Sequence, residues 1–196
     1  MKFFFIFFVS LSISVNAQNA DIDLLKNINL NRNKNLDEPF KTISNTVAPA
    51  SFIVPLGVIG FALIKHDSTT KNKGIYIGAS IAITAGITVG LKYAVNRPRP
   101  YVTYPFINNA AYQADPSFPS GHSSFAFSTA TSLSLAFPKW YVIAPSFLWA
   151  CSVGYSRLDL GVHYPSDVLV GATIGAGTSY LCYRANKWLY KRNHQK

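Results

Sequence analysis

Three short stretches of this 196-residue chain place basic side chains or histidines beside proline, glycine or an acidic residue. The stretches read KYAVNRPRP over 92–100, PSGH over 119–122 and SRLDLGVHYPSD over 156–167. Arginine and lysine bind phosphate oxygens, and histidine attacks or transfers protons near neutral pH. The three stretches together therefore indicate chemistry on an anionic group.

The first stretch offers cations at the end of an apolar run. Lys92 can continue a helix, whereas Pro98 and Pro100 end it and force extended backbone. Arg99, between these prolines, is expected to stand on stiff chain. A basic collar beside a membrane span is the alternative interpretation.

The second stretch has the features of a helix start. Ser120 can cap the helix, and Gly121 would let a ligand approach the backbone closely. The unpaired N–H groups and partial positive charge of a helix N-terminus attract anions, so Ser120 and Gly121 are candidate phosphate ligands. An ordinary cap with an incidental histidine at His122 is the alternative.

The third stretch combines a guanidinium with a histidine and an acid. Arg157 presents a planar fork suited to phosphate. If a helix begins near Pro165, Asp167 can reach back to His163, fix its tautomer and leave the other ring nitrogen free to react. Asp159 has no partner motif and is interpreted as a solvated loop charge.

Together these groups suit phosphoryl transfer better than metal chemistry. Cations and backbone N–H groups would hold the phosphate oxygens while one histidine attacks and a second protonates the leaving group. Clustered carboxylates or histidines at metal-ligand spacing are missing from the sequence, so no metal site is predicted. Cys151 and Cys182 lie in apolar segments without a disulfide or zinc pattern.

The three stretches match K-x6-RP, PSGH and SR-x5-H-x3-D, and in this order the chain resembles the type 2 phosphatidic acid phosphatase family. The matching region runs from 92 to 167, and every signature position is filled. The same signature occurs in bacterial acid phosphatases and vanadium haloperoxidases. The resemblance implies an all-helical core of that type and no metal or other cofactor.

The resemblance also implies roles for individual residues. His163 would be the nucleophile that forms a phosphohistidine, Asp167 would orient it, and His122 would protonate the leaving group. The phosphate would be held by a further set: Lys92, Arg99, Arg157, Ser120 and Gly121.

Apolar runs predict the elements that must position these groups. Hydrophobic residues make up 49% of the chain and charged residues 13%. Five runs stand out: Val47 to Ile64, Ile75 to Leu91, Ser123 to Phe137, Trp140 to Tyr155 and Val168 to Tyr183. They predict an all-α, membrane-embedded bundle of five to six spans. Small and hydroxylated residues, as in GATIGAG, suit close helix packing in a bilayer.

The N-terminal part divides into two predicted segments. Residues 1–17 have the pattern of a signal peptide, with a short first membrane helix as the alternative. Residues 18–45 form an asparagine-rich exported arm with a short helix over Ile22 to Ile28. Residues 46–196 are the predicted membrane-embedded phosphatase domain.

Charge placement predicts a topology. The net charge is +10, and its placement beside apolar runs suits membrane topology and anionic lipid rather than nucleic acid. Nine basic residues are predicted to lie on the cytoplasmic face: Lys65, Lys71, Lys73, Lys139, Arg184, Lys187, Lys191, Arg192 and Lys196. The loops over 92–122 and 156–167 then share the opposite face. The chain is expected in a bacterial inner membrane as a multi-pass protein, with its active site facing the periplasm or exterior.

The expected reaction is hydrolysis of a phosphomonoester or diphosphate on a membrane lipid. Aromatic residues between the first two stretches suit the headgroup level, where a lipid would present its phosphate. The candidates are phosphatidic acid, phosphatidylglycerol phosphate, undecaprenyl diphosphate and lipid A. A soluble, periplasmic non-specific acid phosphatase is the main alternative, and a non-catalytic membrane lipid-binding protein is the other.

Overall fold

A computed structural model describes residues 20–193, with side chains as far as residue 189. Within that range every regular element is helical: α1 over 20–30, a 3₁₀ turn Lys34–Leu36, α2 Asp37–Asn45, α3 Val47–Ile64, α4 Ser68–Val95, α5 Pro100–Thr103, α6 Gly121–Ala136, α7 Trp140–Asp159 and α8 Pro165–Asn193. The all-α prediction is confirmed. The predicted signal peptide over 1–17 lies outside the described residues.

Local signals explain where the long helices begin and end. Asp67 accepts hydrogen bonds from the first N–H groups of α4, and Ser120 caps α6 through the N–H of Ser123. α4 ends where Asn96 adopts a left-handed conformation, and α8 starts at Pro165. These boundaries place the three chemical stretches at helix ends.

The centre of the bundle is built on the close approach of α6 and α8. A Cβ atom added to Gly175 would lie 2.1 Å from the carbonyl oxygen of Ser124, and one added to Gly171 would lie 2.6 Å from that of Ser120. Serine hydroxyls also lie between these helices, and the hydroxyl oxygens of Ser128 and Ser179 are 3.0 Å apart. The small residues predicted to allow close packing do so here.

The outside of α3 and α4 is strongly apolar. Phe52, Ile53 and Leu56 on α3 are 69%, 66% and 64% exposed. Two helical segments of the described chain, Lys34–Ile64 and Ser68–Thr103, are long and apolar enough to cross a membrane. Because a water-soluble helix buries its large apolar side chains, this outward-facing belt suits a bilayer.

α1 and α2 lie against the end of the bundle where the chemical stretches meet. Ile22 and Leu25 of α1 are buried in one cluster with Ile107 and Tyr164. α2 packs along α7, where Phe40 contacts Tyr155 edge to face. The predicted short helix in the N-terminal arm is therefore present, two residues longer at each end, and docked.

Candidate active site

The site lies where α4 ends, α6 and α8 begin, and α7 ends. Between α7 and α8 the chain turns at Gly161, whose φ of +72° favours glycine. A Cβ atom there would also lie 2.6 Å from the carbonyl oxygen of Asn108. This tight turn brings His163 beneath the loop that carries Arg99.

The imidazole of His163 is buried between an acid and a guanidinium. Its Nδ1 lies 3.5 Å from Oδ2 of Asp167, and its Nε2 lies 3.3 Å from Nη1 of Arg99. Burial lowers the pKa of His163 to about 4 and outweighs the opposite effect of Asp167. The ring is therefore neutral at pH 7, with Nε2 on the side of the cations.

Both oxygens of Asp167 are occupied. Oδ1 accepts a hydrogen bond from Nη1 of Arg97 at 2.7 Å. Oδ2 accepts from the hydroxyl of Ser117 and from the backbone N–H of Tyr164, the latter at 3.0 Å. This carboxylate, which is fully buried, is held in one orientation beside His163.

Lys92 and Arg99 converge on one carboxylate. Asp115 accepts from Nζ of Lys92 at 2.9 Å and from Nη2 of Arg99 at 2.8 Å. Burial tends to raise the pKa of Asp115, but the two cations outweigh it and the pKa is lowered. An ionised acid therefore stands between two of the predicted phosphate ligands.

Arg157 is buried with most of its guanidinium unused. It is 2% exposed, and Nη1 donates to the hydroxyl of Ser44 on α2. Its Nε and Nη2 have no hydrogen-bond partner within the described part of the chain. A buried cation with two unpartnered nitrogens is stabilised strongly by binding an anion.

The PSGH stretch begins α6 as predicted, but Ser120 is engaged in the fold. Its N–H donates to the carbonyl oxygen of Asp167 at 3.0 Å, and its hydroxyl accepts from Ser123. A Cβ atom added to Gly121 would meet no atom within 4 Å. The open face of this helix end is therefore at Gly121 and His122 rather than at the N–H of Ser120.

A cavity of about 1130 Å³ runs from these groups along the bundle between α3 and α4. At one end it is lined by polar residues, namely Lys92, Asp115, His122 and His163. Its walls are otherwise mostly apolar and include Phe52 and Leu56 of α3 and Ala82 and Ala85 of α4. The two histidines therefore share one chamber that continues into an apolar groove.

Sequence reasoning missed four residues of the site: Asp21, Arg97, Asp115 and Ser117. Arg97 lies within the first stretch and Asp115 lies four residues before the second, yet their partners are distant in sequence. The interpretation of Asp159 as a solvated charge is wrong, since it is 3% exposed at the end of α7. Among the described residues, no group of three or more histidine, cysteine, aspartate or glutamate side chains is arranged to hold a metal ion.

Comparisons with known proteins show the family to which the chain belongs. The PAP2 superfamily model matches residues 73–191, so the chain belongs to that superfamily. It is 34% identical over 139 residues to a lipid A 1-phosphatase of Rhizobium johnstonii, covering 64% of this chain and 55% of that protein. The chain thus spans little more than half the length of this curated relative.

Two solved structures share the fold over nearly their whole length. Aquifex aeolicus LpxE superposes with a TM-score of 0.71 and 30% identity, covering 84% of this chain and 95% of that one. A transmembrane PAP2-type phosphatidylglycerolphosphate phosphatase from Bacillus subtilis superposes with a TM-score of 0.73 and 26% identity, covering 93% of this chain and 94% of that one. Together with the apolar belt of α3 and α4, this likeness identifies the chain as a membrane protein.

Proposed function

We propose that this protein hydrolyses a phosphomonoester or diphosphate on a membrane lipid through a phosphohistidine intermediate. The observation that carries the proposal is the buried guanidinium of Arg157, with two unpartnered nitrogens, in a site where the neutral ring of His163 also lies against Arg99. Arg157, Arg99, Lys92 and the Gly121 end of α6 would hold the phosphate oxygens.

In the first step Nε2 of His163 attacks phosphorus, and the bond from phosphorus to the lipid oxygen breaks. His122 takes up a proton when the phosphate anion is bound beside it, and it donates that proton to the leaving oxygen. Asp167 keeps Nδ1 of His163 protonated and stabilises the positive charge that develops on the ring.

In the second step a water molecule attacks the phosphohistidine. His122 accepts a proton from that water, the bond from Nε2 to phosphorus breaks, and inorganic phosphate is released. The cations act in both steps, because they hold the three oxygens on which negative charge is spread.

A lipid substrate is supported by the groove between α3 and α4. Its volume of about 1130 Å³ exceeds what a phosphate needs, and its walls are apolar. The curated relative named above is a lipid A 1-phosphatase, and the superposed Bacillus protein is a phosphatidylglycerolphosphate phosphatase. Both names support a lipid that carries its phosphate at the end of a long apolar tail.

We place the protein in a bacterial inner membrane with this site on the periplasmic or exterior face. The support is the charge asymmetry of the sequence: Lys65, Lys71 and Lys73 lie in or near the α3–α4 turn, at the opposite end of α4 from Lys92. Loops rich in lysine and arginine stay cytoplasmic.

The test is phosphate release by purified protein from four lipids: phosphatidic acid, phosphatidylglycerol phosphate, undecaprenyl diphosphate and lipid A. We expect at least one to be hydrolysed in excess EDTA and vanadate to inhibit, while His163→Ala loses the activity. Preference for a water-soluble phosphate ester would favour a non-specific acid phosphatase. No release from any substrate would favour a lipid-binding protein without catalysis.

A further inference from the structure

Arg97 joins the catalytic carboxylate to the N-terminal arm. Its Nη1 donates to Oδ1 of Asp167 at 2.7 Å and to the hydroxyl of Ser166 at 2.8 Å. Its Nη2 donates to Oδ2 of Asp21 on α1 at 2.9 Å. The guanidinium carbon lies 3.7 Å from the centre of the Tyr164 ring. Two carboxylates and an aromatic face therefore fix the plane of this side chain.

Asp21 also binds the start of α8 directly. Its Oδ1 accepts from the backbone N–H of Ser166 at 2.8 Å, and its Oδ2 accepts from the Ser166 hydroxyl. The first N–H groups of a helix lack partners within that helix, and a negative charge beside them is stabilising. Asp21 therefore acts as a capping acid for α8 that is supplied by a distant part of the chain. The residue that it caps, Ser166, comes directly before Asp167.

Two sets of contacts hold α1 in the position that this carboxylate requires. Ile22 and Leu25 are buried against the loops of the site. At the other end of the helix, the side-chain amide of Asn29 donates to the carbonyl oxygens of Asn108 and Asp159 and accepts from the N–H of Asn108, at 2.8 to 3.0 Å. The side chain of Asp21 is consequently 9% exposed.

We propose that Asp21 is a positioning residue for the reaction, an inference that rests on the function proposed above. Asp21 holds Arg97 and the first turn of α8, and Arg97 in turn holds Oδ1 of Asp167. This leaves Oδ2 directed at His163. Asp21 contacts none of the cations assigned to the phosphate, so its effect belongs to the chemical step rather than to substrate binding.

The experiment compares Asp21→Asn with Asp23→Asn in the full-length protein, using the lipid on which the wild type is most active. Asp23 lies two positions along α1, is exposed and is the matched control. Hydrogen bonds to charged groups contribute enough for a loss of about tenfold in kcat for Asp21→Asn. KM and vanadate inhibition should stay within about twofold of wild type, as should every parameter of Asp23→Asn.

A double-mutant cycle then separates positioning from simple support of the fold. Arg97→Gln should lower kcat, and Asp21→Asn added to it should lower kcat little further, because both act through the same guanidinium. Arg97→Lys, which keeps the charge but cannot bridge two carboxylates, should also lower kcat at unchanged KM. Arg97→Lys therefore tests the proposal even if the Asp21→Asn protein is less stable than the wild type.

Two results would overturn the proposal while leaving the enzymatic function intact. These are a wild-type kcat for Asp21→Asn and a loss expressed mainly in KM. An inactive wild type would instead overturn the proposed function and this inference together.

Discussion

The two ring nitrogens of His163 face groups of opposite charge. Asp167 lies on the Nδ1 side, and Arg99 lies 3.3 Å from Nε2. The acid favours a proton on Nδ1, so the lone pair of Nε2 points to the side where an anion would be bound. This arrangement supports the proposed role of the buried, neutral imidazole of His163 as the nucleophile.

The protonation of His163 provides a prediction about pH. Since its folded-state pKa is lowered to about 4, the stability that depends on its neutral form is complete above its unfolded pKa of about 6.5. That stability declines as the pH falls from about 6.5 to about 4, because the unfolded chain binds a proton that the folded chain does not. NMR titration of labelled histidine, assigned with His163→Ala, should show a midpoint near 4. A midpoint at 6.5 or above would contradict this account.

Asp115 should compete with the phosphate for Lys92 and Arg99. Removing its charge in Asp115→Asn should strengthen inhibition by vanadate, about threefold to tenfold for a half-exposed acid, since the two cations lose their carboxylate partner. Vanadate inhibition constants measure this, with Asp23→Asn as the control. Unchanged or weaker inhibition would show that Asp115 supports the anion site rather than competing with it.

The residues of the site could be predicted only where they belong to a recognisable pattern. Lys92, Arg99, His122, Arg157, His163 and Asp167 were all identified from sequence as site candidates, and the structure gathers them at one end of the bundle. Arg97 and Asp115 could not be identified from the sequence, because the role of a charged loop residue depends on a partner that only folding brings near. Arg97 and Asp167 are 70 positions apart in the chain.

At the scale of the elements, apolar runs located the helices but underestimated their length. α3 has the predicted bounds, whereas α4 begins at Ser68 instead of Ile75 because Asp67 caps a polar first turn. α8 continues to Asn193 instead of ending at Tyr183, through residues that include good helix formers. Hydropathy detects only the part of a helix that lies in apolar surroundings.

The close contact between α6 and α8 predicts that alanine substitutions at two glycines of α8 will change stability in different ways. In Gly175→Ala the new methyl group would lie 2.1 Å from the carbonyl oxygen of Ser124 and 2.7 Å from the N of Ser128, so the backbones must separate. Overpacking of this kind costs about 1–3 kcal/mol. Activity should fall as well, because α6 carries His122 and α8 carries Asp167.

Gly177→Ala is the matched control on the same helix, since no atom lies within 4 Å of its added methyl group. Alanine there favours the helix, so stability should be equal or greater. Thermal unfolding in detergent compares the two. Equal melting temperatures for both variants would show that α6 and α8 do not need this close approach.

At the scale of the whole molecule, a polar end and an apolar groove form one continuous cavity. The outside of α3 and α4 is apolar, and the cavity between these helices meets the cations at Lys92. A lipid can therefore place its headgroup in the charged site while its tail remains in apolar surroundings. The fold therefore supports the proposed preference for lipid phosphates.

This arrangement predicts that filling the groove separates lipid from soluble substrates. Ala85→Phe adds a ring inside the groove and should lower kcat/KM for the lipid about tenfold, with little effect on a water-soluble phosphate ester. Ile87→Phe, at an exposed position outside the groove, is the control. Parallel losses on both substrates in Ala85→Phe would mean that the ring disturbs the catalytic end instead.

The most direct test is to trap the covalent intermediate with a lipid carrying ³²P in the phosphate that is released. The account predicts a label on the wild-type protein that is stable in base, labile in acid and located at His163. Only background label is expected in His163→Ala. A wild type that releases phosphate without becoming labelled, or a label that persists in His163→Ala, would contradict the assignment of His163 as the nucleophile.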